Sequence, residues 1–404
     1  MFEKFMNIDT VSEIRARSFI YFGFGAIKKM NDIAELMKAK GINRVLVVSS
    51  HSAYKTSGAW DPIEQALREK GMEWILYDKV TPNPDTTAID EATAQAKEFG
   101  AQAVIGIGGG SPIDTAKSVA ILAEYPDQNA ESLFEWKFAP EKALPIVAVN
   151  LTHGTGTEGN RVAVASIVEK KFKPAIAYEC LYPTWSIDDP DLMMSLPPKQ
   201  ILYTSIDALN HVIEAATTKI TNPFAITLAR EVIALVVRYL PVAMKNPKDR
   251  TARYHLAYAA LLGGISFDNG FLHYTHALEH PLSGKCPSIT HGLGLAMLLP
   301  AVIKNIYAAR ADVLADILSP IIPDLKPEGS DTEKAARGIE KWLFEVGAKQ
   351  KLTDEGFSES DIAELADLVF STPSLTVLLS VAPTNATREA VEQIFRESLK
   401  PLDF

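Results

Sequence analysis

Residues 103–117 read AVIGIGGGSPIDTAK, and the fold turns on how this stretch divides. Ala103–Ile107 is a short, mostly β-branched run of the kind buried on both faces of a parallel sheet. Gly108, Gly109 and Gly110 follow, then Ser111 and Pro112, residue types that open helices. Asp114, three residues after Ser111, completes a capping-box pattern. A strand running through glycines into a helix offers free backbone N–H groups and the positive end of the helix dipole to an anion, so the pattern reads as a phosphate cradle. It is neither common type. Ala116 stands before Lys117 where the P-loop needs glycine, and Ser111 stands where the dinucleotide fingerprint has its third glycine. The competing reading is a tight turn that uses glycine for geometry alone.

Working outward, Arg44–Val48, Trp74–Tyr77 and Ile146–Val149 repeat the short apolar run, while Asp61–Lys70 and Thr86–Phe99 carry apolar residues at helical spacing. Strand and helix in alternation predict a parallel sheet flanked by helices. Gly154–Gly159 (GTGTEG) matches G-x-G-x-x-G letter for letter, but Asn160–Val168 after it reads as a strand, so the helix that would confirm a fingerprint is missing. Beyond Asp189-Pro190 the texture becomes Ala- and Leu-rich with helical periodicity. The expectation is an α/β dinucleotide-binding domain over 1–188 and an all-helical domain over 189–404.

The chain's 404 residues are 47% hydrophobic and 22% charged, which allows two sizeable cores and excludes wholesale disorder. A formal charge of -10 gathers neither nucleic acid nor an anionic membrane, so neither is an expected partner. Two cysteines, Cys180 and Cys286, are too few for a disulfide framework, and MFEKFMNIDTVSEIRARS lacks the apolar run of a secretion signal. A cytoplasmic protein is expected. The longest uncharged stretch, Leu368–Thr387, is broken by Pro373 and Pro383 and reads as a helix end and a loop.

The histidines are the most informative feature. Asp207 and His211 are four apart on a predicted helix, so one face presents both; His276 and His280 repeat the spacing, with His273 and His291 nearby. Around them lie Ile206, Leu209, Val212, Ile213, Leu278 and Leu282. Polar groups in so apolar a setting need partners. One such pair is commonly a satisfied core pair, but two clusters in one helical domain point to a divalent metal, and nitrogen-rich ligation with one carboxylate suits iron(II), zinc or manganese.

PNPD at Pro82–Asp85, GGGSPIDTAK at Gly108–Lys117, THGTGTE at Thr152–Glu158, DPDLMMSLPP at Asp189–Pro198, SIDALNHVIEA at Ser205–Ala215, HALEHPLSG from His276 and HGLGLAMLLP from His291 together resemble the iron-dependent alcohol dehydrogenases over nearly the whole chain. The resemblance implies an architecture like dehydroquinate synthase, with metal and nicotinamide meeting in a cleft between an α/β and a helical domain. It implies hydride transfer between NAD(P)(H) and a primary alcohol or aldehyde, in a homodimer. Its ligand positions fall on Asp207, His211, His276 and His291, and His280 becomes a catalytic neighbour able to relay a proton; His273 and His255 receive no role. Gly109, Gly110, Ser111 and Asp114 would serve the pyrophosphate, and Asn83, Thr152, Thr155, Lys173 and Leu192 the rest of the cofactor. An NAD-using lyase of the dehydroquinate-synthase type is the alternative.

Three departures matter. His153 replaces a small residue and would set an imidazole near the cofactor. One extra residue separates His280 from His291. Ser49-Ser50-His51-Ser52 replaces the acid that often holds the adenosine ribose, and no acid follows before Asp61, so NADP(H) is expected over NAD(H), with Ser49, Ser50 and His51 facing the 2′-phosphate. Phe267, Phe271 and Tyr274 are expected to line the substrate pocket.

Overall fold

The computed structural model describes residues 11–402. Residues 1–10, on which the reading of the N-terminus as lacking a leader partly rests, lie outside it.

Among the described residues eight strands form: β1 Phe19–Phe22, β2 Arg44–Ser49, β3 Glu73–Tyr77, β4 Ala103–Gly108, β5 Ile146–Asn150, β6 Val162–Val164, β7 Ala175–Ala177 and β8 Trp185–Asp188. Six make one sheet in the order β1-β8-β5-β4-β2-β3, and every pairing in it is parallel. Alternate strand residues supply two cores. Val45, Val47, Ile105, Ile107, Val147, Val149 and Ile187 pack one face with Ile33, Met37, Ile63 and Leu67, while Leu46, Val48, Val104 and Ile146 pack the other with Ile89, Ala92, Val119 and Ala120. The Thr86–Phe99 helix on that second face starts on Asp85, whose side chain accepts from Ala88 N, and stops at Gly100 with φ +68°.

From β2 the chain goes to β3 on one side, then returns to β4 on the other. The loops leaving β2 and β4 therefore part, and in open α/β sheets such a switch point is where ligands bind. The glycine-led helix, Gly110–Leu122, leaves β4 there.

That helix begins earlier than the capping reading expected. Gly109 is its N-cap, with no side-chain bond, and Ser111 and Pro112 lie inside the first turn, where the missing proline N–H costs nothing. Asp114 faces inward: it accepts Thr157 Oγ1 at 2.8 Å and Val164 N at 3.1 Å. Lys117, fully buried, donates from Nζ to Thr157 O, Thr157 Oγ1, Val162 O and Asn160 O at 2.7–2.9 Å. Both charges are thus spent on the segment after GTGTEG, which enters a 3-10 turn at Thr157–Gly159 and then β6, not a long helix.

The second compact unit is helical, built from residues 11–15, Pro198–Pro247 and 262 onward; the first takes in Ala16–Pro197 and Lys248–Leu261. The change-over falls at Pro197–Pro198 and not at 188. The segment after β8 stays with the α/β unit because Asp189 Oδ2 accepts Ile27 N, Lys248 donates to Met194 O, and Arg253 donates to Met193 O. Residues 248–261 likewise belong there, which helical periodicity alone does not reveal. The uncharged stretch at 368–387 contains more helix than expected: Ile362–Ser371 and Pro373–Ser380 meet at 87°. Among the described residues one helical stretch, His291–Ala309, is long and apolar enough to cross a membrane, but 78% of it is buried inside the protein.

At the centre of the helical unit runs Pro198–Thr217, buried from Ile201 onward. A Cβ at Gly270 would overlap the Ala215 carbonyl, and one at Gly292 the Tyr203 carbonyl, so glycine at these two positions lets neighbouring segments close on its backbone.

Lys117→Met should cost about 3–5 kcal/mol of unfolding free energy, since it strands Asp114 and several carbonyls in the interior. Urea denaturation followed by tryptophan fluorescence measures it, and a cost below about 1 kcal/mol, the surface-pair range, would contradict the role.

Candidate metal centre and nucleotide cradle

Asp207 and His211 point from one face of the Pro198–Thr217 helix, His276 comes from the Tyr274–Lys285 helix, and His291 is the first residue of His291–Ile306. They converge. Asp207 Oδ1 lies 3.3 Å from His211 Nε2, 3.5 Å from His276 Nε2 and 3.7 Å from His291 Nε2. Asp207, His276 and His291 each offer an atom within 4.8 Å of the other two. His211 stands slightly aside because its ring stacks on His276, 4.7 Å between centroids at 13°, and lies 4.6 Å from Phe267.

The fit to a metal ion is testable on the polar atoms. Asp207 Oδ1 and His276 Nε2 are buried and have no hydrogen-bond partner among the described residues, a costly state unless a cation meets them. Burial works against ionising Asp207, yet the three imidazoles hold it well below the usual carboxylate range. Burial pulls His211 down to about 3. His276 goes the other way, to about 9, because Glu214 and Asp207 outweigh its burial. Three imidazoles and one carboxylate form a donor set suited to iron(II), zinc or manganese. The residues fit.

Two buried carboxylates that the motif reading passed over stand behind the histidines. Glu214 Oε2 accepts His276 Nδ1, and Glu279 Oε2 lies 2.5 Å from His291 Nδ1. Both sit at helical spacing from a ligand, Glu214 three residues after His211 and Glu279 three after His276, which was the available signal.

The other histidines separate. His280 is buried one turn beyond His276, its ring 5.9 Å from that of His291. His273 caps the Tyr274–Lys285 helix, its Nδ1 accepting Tyr274 N and its Nε2 meeting Thr217 Oγ1 at 2.8 Å. His255 Nδ1 meets Thr251 O at 2.7 Å. The expectation for His153 needs correction: its side chain is fully buried, and burial together with Arg253 pulls it down to about 3, so it is a neutral interior residue. Tyr274 is also interior, its hydroxyl accepting from Thr384 Oγ1, and so does not line an open pocket. Phe271, half-buried, has φ +63°. The extra residue before His291 is absorbed in a short turn closed by Ile289 N to Cys286 O.

On the α/β unit, Ser50, Gly109, Gly110, Ser111, Thr152 and Thr155 are all half-buried past the carboxyl ends of β2, β4 and β5. A Cβ on Gly109 would stand 2.7 Å from Thr152 Cγ2, and one on Gly110 2.8 Å from Thr155 Cγ2. The turn and the THGTGTE segment are therefore in contact, and the two glycines are required by the protein itself. Asn83 holds φ +56°, a left-handed conformation asparagine tolerates, and Leu192 is buried just after β8. Three expected cofactor contacts face elsewhere. Both Asp114 oxygens are engaged inside, Ser49 Oγ donates to Ile107 O, and Lys173 is buried where its charge acts on Asp114. His51 is exposed.

Residues 18–190 match the family described as iron-containing alcohol dehydrogenase, and residues 201–399 match the C-terminal part of the same family. A long-chain primary alcohol dehydrogenase of Thermoanaerobacter ethanolicus is 56% identical over 398 residues, 98% of this chain and 100% of that one. The chain belongs to the iron-containing alcohol dehydrogenases. A 1,3-propanediol dehydrogenase of Klebsiella pneumoniae is 31% identical, covering 94% of this enzyme and 96% of its own length. The crystal structure of the NADH-dependent butanol dehydrogenase A of Thermotoga maritima superposes on the enzyme with a TM-score of 0.89 at 30% identity, covering 97% and 99% of the two chains. The enzyme is a metal-dependent, nicotinamide-linked oxidoreductase of alcohols and aldehydes, with the fold of its family.

His211→Ala or His291→Ala should remove bound metal and turnover together, whereas His280→Ala should keep the metal and lose rate; elemental analysis beside a butanal assay reads both. The reverse pattern at His280 and His276 would overturn the ligand set. Gly110→Val should weaken cofactor binding beyond detection by fluorescence titration. Because any side chain at position 110 would strike Thr155, the double variant with Thr155→Ala tests packing separately, and recovery of binding in it would argue against backbone contact with the pyrophosphate.

Proposed function

We propose that the enzyme interconverts primary alcohols and aldehydes with NADP(H) preferred over NAD(H), using iron(II) held by Asp207, His211, His276 and His291. The observation that carries the reading is the convergence of three Nε2 atoms on one buried carboxylate oxygen. A bound divalent metal supplies Lewis acidity, lowering the pKa of an alcohol hydroxyl or polarising an aldehyde carbonyl. The four ligands fix where the substrate oxygen is received, and the buried apolar residues around them limit water. His280, one turn beyond His276, takes up or returns the proton of the alcohol. On the α/β unit the N–H groups at Gly110 and Ser111 meet the pyrophosphate, and Thr152 and Thr155 flank it. The hydride chemistry belongs to the nicotinamide.

The cofactor preference rests on the turn after β2. With the Ser49 hydroxyl committed to Ile107 O, the 2′-phosphate is left to Ser50, His51 and the backbone N–H groups of the turn, and no carboxylate of residues 50–60 opposes it. In this the enzyme would differ from the butanol dehydrogenase, whose name gives NADH. A primary alcohol of some length as substrate is supported by the Thermoanaerobacter relative. We also place the enzyme in the cytoplasm as a homodimer: Cys180 and Cys286 are not disulfide-bonded, and Phe19 is exposed on the sheet-edge strand β1.

With anaerobically iron-loaded enzyme, kcat/KM for butanal reduction should be larger with NADPH than with NADH, and Ser50→Asp should weaken NADPH far more than NADH. A larger wild-type value with NADH would overturn the preference, and equal effects of the substitution would show that residue 50 does not face the ribose.

A further inference from the structure

We infer that Glu214 and Glu279 are positioning residues of the metal centre: each holds the Nδ1 proton of one ligand imidazole, His276 and His291 respectively, and thereby presents Nε2 to the metal. The inference rests on the ligand set proposed above. An imidazole can bind a metal through either nitrogen, and which one is free is decided by the acceptor that holds the proton on the other.

The carboxylates are built for this task. Glu214 is fully buried in the stripe that carries the other ligands of its helix, Asp207, His211 and Glu214 being at i, i+4 and i+7. Its Oε1 accepts Thr275 N at 2.5 Å, and its Oε2 accepts His276 N at 3.4 Å as well as His276 Nδ1. One carboxylate thus fixes the start of the Tyr274–Lys285 helix and the rotation of the ligand ring on it. His273 does not compete for the charge. Its Nδ1 already accepts Tyr274 N, so its proton sits on Nε2 toward Thr217 Oγ1, whose own hydrogen goes to Ile213 O.

Glu279, also fully buried, repeats the arrangement one helix later. Ser283 Oγ donates to Oε1, and Oε2 faces His291 Nδ1. Gly294 makes room for it, since a Cβ there would stand 2.7 Å from Glu279 Cγ. The result is a relay of orientation: the first ligand helix aims the ligand of the second, and the second aims the ligand of the third. His211 is held differently, by stacking between Phe267 and His276, and its Nδ1 has no hydrogen-bond partner among the described residues.

The test uses zinc(II), which is diamagnetic, on the full-length protein. Zinc affinity by chelator competition, melting of the metal-free protein, and 15N-histidine spectra of the zinc-loaded protein are measured for wild type, Glu279→Gln, Glu279→Ala and Glu214→Gln. Wild type should bind one zinc per chain with two imidazoles carrying hydrogen-bonded Nδ1 protons. Glu279→Ala should weaken zinc by about 10- to 100-fold and lose the His291 Nδ1 proton signal, with unchanged metal-free melting. Glu279→Gln, which keeps an acceptor oxygen, should recover part of both. Glu214→Gln should weaken zinc likewise and alter the His276 signal. Wild-type affinity within twofold in folded Glu279→Ala, or weakening that follows lost melting temperature with ring signals intact, overturns the inference. Failure of wild type to bind zinc overturns the ligand set beneath it.

Discussion

Everything in the helical unit is arranged around one buried negative charge. Asp207 lies in the middle of the longest buried run of the Pro198–Thr217 helix, with aliphatic neighbours on either side in sequence. A carboxylate in such a place is tolerable only with positive charge against it. Three imidazoles approach its Oδ1, but burial drives His211 toward neutrality, and only His276 gains enough from Glu214 and Asp207 to hold a proton. Protons therefore neutralise the site poorly, and a divalent cation does so well. Glycine at positions 270 and 292 brings the segments bearing His276 and His291 against the backbone that carries Asp207.

The α/β unit solves a different problem, that of holding a glycine-rich turn in one shape when its own residues have little to pack with. Lys117 and Asp114, one turn apart on the helix that the glycines lead into, reach behind the turn and tie down residues 157–164. The segment so fixed puts Thr152 and Thr155 directly against Gly109 and Gly110. The half of GGGSPIDTAK that resembles a ligand-binding motif is exposed, and the half that resembles a charged helix face is the buried clamp that supports it.

This division explains what could be read from the residues alone. Short β-branched runs alternating with helical periodicity gave away the parallel sheet because both patterns are local. Asp207, His211, His276 and His291 were legible because histidine and aspartate in an apolar context are conspicuous and their spacing puts them on helix faces. Asp114 and Ser49 were misread as facing the cofactor because a position in a motif does not say which way a side chain turns; here Thr157, Val164 and Ile107 decide it. His153 was placed near the cofactor for the same reason, and lies in the interior beside Arg253. Residues 248–261 look like any amphipathic helix and give no sign of belonging with the sheet. Glu214 and Glu279 escaped notice because glutamate on a helix is ordinary until the fold sets it behind an imidazole.

The central claim is that one metal is held by one carboxylate and three imidazoles drawn from three helices. X-ray absorption at the iron edge, on protein reconstituted anaerobically with one equivalent of iron(II), addresses it directly. The account predicts a first shell of nitrogen and oxygen only, with outer-shell scattering fitted by three imidazole rings, and with one ring lost in His276→Ala. A sulfur neighbour, or fewer than three imidazoles in the wild-type protein, would contradict it.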